Sequence, residues 1–219
     1  MRLGVLYPPC GAEFEFYTHG EALAPDVRVT LVGVRIHGGD DEHAVGHMRR
    51  TAEVDNLLLS AEAIAPLRPD AAIWACTSGS FVAGLGHARR QAEAIGEALG
   101  CPATSTALAY LAALQQLGIE RVSVLASYPQ AMFDAFQAFL GEAGIGVDAG
   151  ACLDVGSGPA AADIGDEALL ARAAALAPPP GGALLIPDTA IPTLHLLPRL
   201  AELHEAPVLT ANQVSLWLL

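Results

Sequence analysis

Lysine is missing from this chain of 219 residues, and its eleven basic side chains are all arginines. Without lysine no aldimine with a pyridoxal-type aldehyde can form, and no P-loop lysine is there to grip a phosphate. Aromatic residues are scarce at 5%, charged residues make up only 16%, and acids outnumber bases to give a formal net charge of −13. This balance argues against nucleic acid, whose phosphates must be met by basic side chains. It leaves small anions open, because backbone N–H groups can bind them inside an acidic protein. Long apolar runs are lacking too. The composition is 53% hydrophobic, but Gly, Pro and Asp break each run before the roughly 18 to 20 residues that a spanning helix needs, so no membrane partner is expected. No leader pattern precedes the first strand candidate, and a cytoplasmic location is the expectation. The four cysteines are then read as free thiols rather than a disulfide frame.

What is present is a pattern stated twice. Arg2-Leu3-Gly4-Val5-Leu6-Tyr7-Pro8 is echoed by Arg121-Val122-Ser123-Val124-Leu125, with Tyr128-Pro129 two residues further on. Cys101-Pro102-Ala103-Thr104-Ser105-Thr106 has its counterpart in Ala206-Pro207-Val208-Leu209-Thr210-Ala211. Short apolar runs alternate with segments of helical period, as in strand-helix units around parallel sheets. Strands are expected at 2–7, 27–34, 71–76, 101–104, 121–126, 147–152, 183–187 and 206–209. Helices are expected at 13–23, 44–66, 83–99, 106–117, 129–143, 166–177, 193–204 and 211–218. The fold class is α/β: two similar parallel-sheet halves, 1–118 and 119–219, related by a pseudo-twofold axis, with part of the C-terminal helix crossing over.

In parallel sheets, ligand sites lie beyond the carboxyl ends of the strands. That rule selects Pro8-Pro9-Cys10-Gly11, Cys76-Thr77-Ser78-Gly79-Ser80, Ser127-Tyr128-Pro129 and Asp188-Thr189-Ala190. The duplication puts Cys76 and Asp188 at equivalent places, so the two are expected to flank one central cleft between the halves. Cys76 is a candidate nucleophile or base if the turn through Gly79 into a helix supplies a field that ionises it. The alternative is a small buried residue at a strand end. Asp188 follows an apolar strand and a proline, an expensive place for a carboxylate without a partner or a task. It is a candidate proton shuttle, or else a helix cap or turn residue. Thr77, Ser78 and Thr189 are candidate carboxylate binders through hydroxyl and N–H groups. Tyr128 either donates its hydroxyl into the cleft or packs there, and Cys10 is read as a wall residue.

Other patterns carry less. His43 and His47 have i, i+4 spacing, but Asp40-Asp41-Glu42 before them reads as a solvated acidic helix start, so no metal is inferred. Arg49-Arg50 and Arg89-Arg90 read as solvated helix faces. Gly156-Ser157-Gly158-Pro159 is an irregular stretch that either closes over a ligand or is a surface turn. It lacks the context of a dinucleotide fingerprint, and no nicotinamide or flavin is inferred. Ala- and Leu-rich helices make a homodimer a possible partner state.

On the opening Leu3-Gly4-Val5-Leu6-Tyr7-Pro8, the turn Cys76-Thr77-Ser78-Gly79-Ser80-Phe81, Ser127-Tyr128 after a strand, and Asp188-Thr189, the chain resembles the aspartate/glutamate racemase superfamily. The similarity runs over most of the chain and points to the branch of maleate cis-trans isomerases and arylmalonate decarboxylases. The resemblance implies an enzyme with two α/β halves and no cofactor, acting on a small carboxylate bound by Thr77, Ser78, Tyr128 and Thr189. Racemases and maleate isomerases of this kind pair two cysteines, and here Asp188 takes the second place. The decarboxylases carry their single thiol on the second side and glycine on the first, the reverse of this chain. Maleate-type isomerases have an asparagine in the first turn, where Gly11 stands as a substrate-binding candidate. The expected activity is a maleate-type isomerisation with Cys76 as thiolate and Asp188 as the opposing acid or base. Racemisation, arylmalonate-type decarboxylation and a non-catalytic carboxylate-binding relative are the alternatives.

Overall fold

The computed structural model describes all 219 residues. The first half holds β1 (Arg2–Tyr7), α1 (Glu13–Gly20), β2 (Arg28–Gly33), α2 (Val45–Thr51), α3 (Val54–Ile64), β3 (Ala71–Trp74), α4 (Thr77–Phe81), α5 (Leu85–Leu99), β4 (Ala103–Ser105) and α6 (Thr106–Leu117). The second holds β5 (Arg121–Ala126), α7 (Gln130–Glu142), β6 (Gly146–Cys152), α8 (Gly158–Ala162), α9 (Asp166–Ala175), β7 (Ala183–Ile186), α10 (Leu197–Ala201), β8 (Val208–Thr210) and α11 (Ala211–Leu218). Two four-stranded sheets result, ordered β2-β1-β3-β4 and β6-β5-β7-β8. Every pairing is parallel. The shared order is the architectural form of the sequence duplication.

The apolar runs explain the inner strands. Ala183-Leu184-Leu185-Ile186 is buried at every position, as a strand covered on both faces requires. Equivalent polar residues start the last helix of each half. Ser105 accepts the Leu108 amide at the start of α6, and Thr210 forms a capping box with Gln213 at the start of α11. The left-handed Gly100 and Gly118 end α5 and α6, a conformation that costs glycine no steric penalty.

Several elements depart from the sequence expectation, each for a tertiary reason. The single helix expected over 44–66 is broken at Ala52-Glu53. The Ala52 carbonyl there accepts Gln91 Nε2 at 2.7 Å and faces His87 Nε2 at 3.0 Å. The helix expected from 83 starts at Leu85, after Gly84 at φ 83°. Its first amide is capped from the other half by Glu142 Oε2 at 2.8 Å. Residues 193–204 form a 3₁₀ turn and then the short α10, entered through Pro198. β4 and β8 begin after Pro102 and Pro207, which have no N–H to donate and join the neighbouring strand only by accepting the Ala72 and Leu184 amides at 3.0 and 2.9 Å. The stretch read as irregular at 156–159 opens α8, with Ser157 accepting the Ala160 amide.

The halves share their interior. Both apolar clusters mix residues of the two: Trp74 and Phe81 pack with Tyr128 and Phe136, while Val5 and Ile73 pack with Leu184 and Ile186. α11 leaves its own sheet to pack on α6 and α1, where Thr106 and Ser215 exchange a buried hydroxyl bond of 2.8 Å. No helix is long and apolar enough to cross a membrane.

Candidate active site

Cys76 and Asp188 each lie two residues beyond their strand, after Trp74 of β3 and Ile186 of β7. Each is held by the amides of its own turn. Cys76 is the N-cap of α4, and its Sγ accepts the Gly79 N–H at 3.3 Å. A Cβ on Gly79 would come within 2.7 Å of the Trp74 ring and 3.1 Å of this sulfur, so the tight turn needs glycine. Asp188 Oδ1 accepts the Ala190 N–H at 2.9 Å, and Oδ2 accepts the Ser127 hydroxyl. Both side chains face one narrow cavity of about 20 Å³ between the halves, room for about one water. Pro8, Cys10, Ser78, Thr189 and Ala190 also line it.

Three buried tyrosines fix the Asp188 turn. Tyr110 donates to the Ile186 carbonyl at 2.7 Å, Tyr128 to that of Pro187, and Tyr7 to that of Thr189 at 2.8 Å. Tyr7 and Tyr128, equivalent in the duplication, thus clamp the turn from opposite sides. Behind it Asn212 Nδ2 bonds both the Thr189 carbonyl, at 3.2 Å, and Glu15 Oε2, at 2.7 Å. Glu15 is fully buried and also accepts the Leu194 amide at 2.7 Å. Such over-determination holds a buried carboxylate in one orientation.

The electrostatics of the thiol run against the sequence expectation. The Ser78 hydroxyl, 3.6 Å away, and the Gly79 amide favour the thiolate. Burial opposes them and wins, pushing the Cys76 thiol up to about 12, and the Asp188 and Glu42 charges push the same way. Cys76 therefore carries its proton at neutral pH. Burial also raises Cys10, whose thiol donates to Tyr7 Oη at 3.0 Å, in keeping with a wall role.

The remaining candidates divide. Ser78 and Thr189 line the cavity. Thr77 is outside the lining, its Oγ1 buried next to the Tyr128 hydroxyl without a well-aligned hydrogen bond. Tyr128 is outside the lining, its hydroxyl committed to Pro187. Gly11 is exposed and also outside the lining, its amide taken by Glu13 Oε2 at 2.9 Å.

Two lining residues were misread in sequence. Glu42 and His43, expected on a solvated helix start, are 7% and 4% exposed. They meet the segment after β6: the His43 amide donates to Gly156 O at 2.9 Å, His43 Nδ1 to Val155 O at 2.8 Å, and the Gly158 amide to Glu42 Oε1. The His43 ring stands edge-on to Tyr128 at 5.2 Å. His47 turns instead to the Asp41 carbonyl, so the i, i+4 pair does not converge. The only sequence hint of this latch was the i, i+2 pair Gly156 and Gly158 opposite an acidic run. Arg49, Arg50, Arg89 and Arg90 are exposed as expected.

A duplicated α/β enzyme fold with a thiol and a carboxyl facing one interhalf cavity is the class that these features define. Residues 3–219 match the arylmalonate decarboxylase family. The chain belongs to that family of enzymes. No curated protein matches it in sequence. Among solved structures it resembles a maleate isomerase from Pseudomonas putida S16 with maleate, at TM-score 0.86 and 19% identity, covering 100% of this chain and 90% of that one. A maleate cis-trans isomerase variant from Nocardia farcinica with a covalently bound succinylcysteine intermediate matches at 0.85 and 21%, covering 99% and 89%. A liganded variant of arylmalonate decarboxylase matches at 0.80 and 22%, covering 99% and 89%.

Proposed function

We propose that this enzyme is an isomerase of the maleate cis-trans type acting on a small unsaturated carboxylate, with Cys76 as nucleophile and Asp188 as the opposing acid and base. The observation that carries this reading is the meeting of the two groups in one cavity, each aimed by its own turn. Ser78, with Thr189 opposite, receives a substrate carboxylate in the cavity, and the buried Thr77 hydroxyl is proposed to turn toward the same group. Tyr7 and Tyr128 are positioning residues for the Asp188 turn, and Gly11 is proposed only for the rim.

The resting thiol is protonated, so the first step moves its proton. Asp188 accepts it as sulfur bonds to one alkene carbon and the π electrons move toward the substrate carboxylate. The former double bond is now single and rotates. Collapse of the enediolate then expels sulfur, re-forms the alkene as the trans isomer, and returns the proton from Asp188 to sulfur. A thiol held up to about 12 also favours a second reading, decarboxylation, in which the carboxylate leaves as carbon dioxide and Cys76 protonates the resulting carbanion. Proton NMR of maleate, its half-amide maleamate, aspartate, a hydantoin and a phenylmalonate with the enzyme in deuterium oxide separates these. A trans product with a transient Cys76 adduct in the intact mass supports isomerisation, a monoacid product supports decarboxylation, and exchange at an α-carbon without either supports racemisation. No change in any of them would overturn the enzymatic reading of these substrates.

A further inference from the structure

Glu42 stands outside the duplicated turns, yet its carboxyl lines the same cavity as Cys76 and Asp188. Only Oε1 is engaged, by the Gly158 amide, and no protein group donates to Oε2. The lining contains no arginine, and His43 is its one side chain able to carry a positive charge. The walls thus present two buried carboxyls against one imidazole. A dicarboxylate would add two more negative charges to that space, and like charges set side by side in a desolvated site are strongly disfavoured. A substrate with one carboxylate and one hydrogen-bond donor meets no such opposition. Its carboxylate faces Ser78 and Thr189, and its donor faces the free oxygen of Glu42.

We propose that Glu42 determines specificity, selecting a small monocarboxylate whose second polar group donates a hydrogen bond, such as an amide or ammonium, over a dicarboxylate of the same size. This rests on the reading of the cavity as the carboxylate site. The position of Glu42 at the latch gives the choice a physical basis. The same carboxyl that holds Gly158 in the cavity wall meets the group that binds there, and it repels a negatively charged one.

Succinate and its half-amide, succinamate, are isosteric and unreactive, so binding can be read without turnover. Titration of the wild-type enzyme with each, followed by ligand-observed NMR near pH 7.5, is expected to favour succinamate by at least about tenfold, as expected for discrimination by charge repulsion. In Glu42→Gln the neutral amide still accepts the Gly158 bond and can donate to a carboxylate, so the preference should vanish or reverse. Glu42→Asp, which keeps the charge, should keep it. Equal or tighter binding of succinate by the wild type, or an unchanged ratio in Glu42→Gln, would overturn the proposal while leaving the carboxylate site standing. Binding of neither probe would overturn the carboxylate-site reading and this inference together.

Discussion

At the scale of single residues, the site sets a buried thiol among acids. Burial raises Cys76 from an ordinary 9.0 to about 12, so between those values the folded chain holds a proton that the unfolded chain has released. Stability must then fall as pH rises through that window, by up to about 1.4 kcal/mol per unit for this one group. Cys76→Ser removes the contribution. Urea midpoints measured at about pH 8 and about pH 10.5 should drop further in the wild type than in the variant, because the other titrations cancel in the difference. An equal drop would mean that the thiol titrates normally. Cys76 and Asp188 were legible as a pair because the repeat aligns them. The ionisation state was not, because the helix field is a local feature while desolvation depends on residues from both halves that close the cavity.

Among the elements, the segment from β6 into α8 matters most for access. It leaves the second sheet, bonds Glu42 and His43 of the first half, and brings Gly158 into the cavity wall. A cavity of about 20 Å³ has room for about one water, so a carboxylate substrate needs part of the wall to move, and this segment is the part expected to do so. In Gly158→Ala the new Cβ would stand 2.7 Å from Cys10 Cβ and 2.9 Å from Glu42 Oε1. The variant should lose about 1–3 kcal/mol of stability. Its hydrogen exchange should speed at residues 155–161 while β7 stays protected. Uniform acceleration would show that the segment does not open independently. The helix break at Ala52-Glu53 follows the same logic. Nothing in residues 44–66 marks it, because the groups that bond the Ala52 carbonyl, His87 and Gln91, come from α5.

At the level of the whole molecule, the two halves share one sheet order and a common interior. Their cores interleave, Glu142 of the second half caps α5 of the first, and α11 lies on α6 and α1. One cooperative unit should result. Trp74, fully buried in the first half, reports on it once Trp217 is replaced by phenylalanine. Leu185→Ala in that background opens a cavity in the second sheet, where Leu185 is fully buried. It should cost about 2–5 kcal/mol and lower the midpoint seen by Trp74 fluorescence as much as that seen by circular dichroism. Two separate midpoints would contradict a shared core.

The sequence by itself determined the α/β class, the duplication, the strand-end turns and the alignment of Cys76 with Asp188, because periodicity, proline, glycine and repeat spacing act over short stretches of chain. Only the tertiary structure decided that Glu42 and His43 belong to the wall, that Gly11, Thr77 and the Tyr128 hydroxyl do not, and that the thiol keeps its proton. Those outcomes depend on which distant groups share a water-free space, and that is set by the packing of one half against the other.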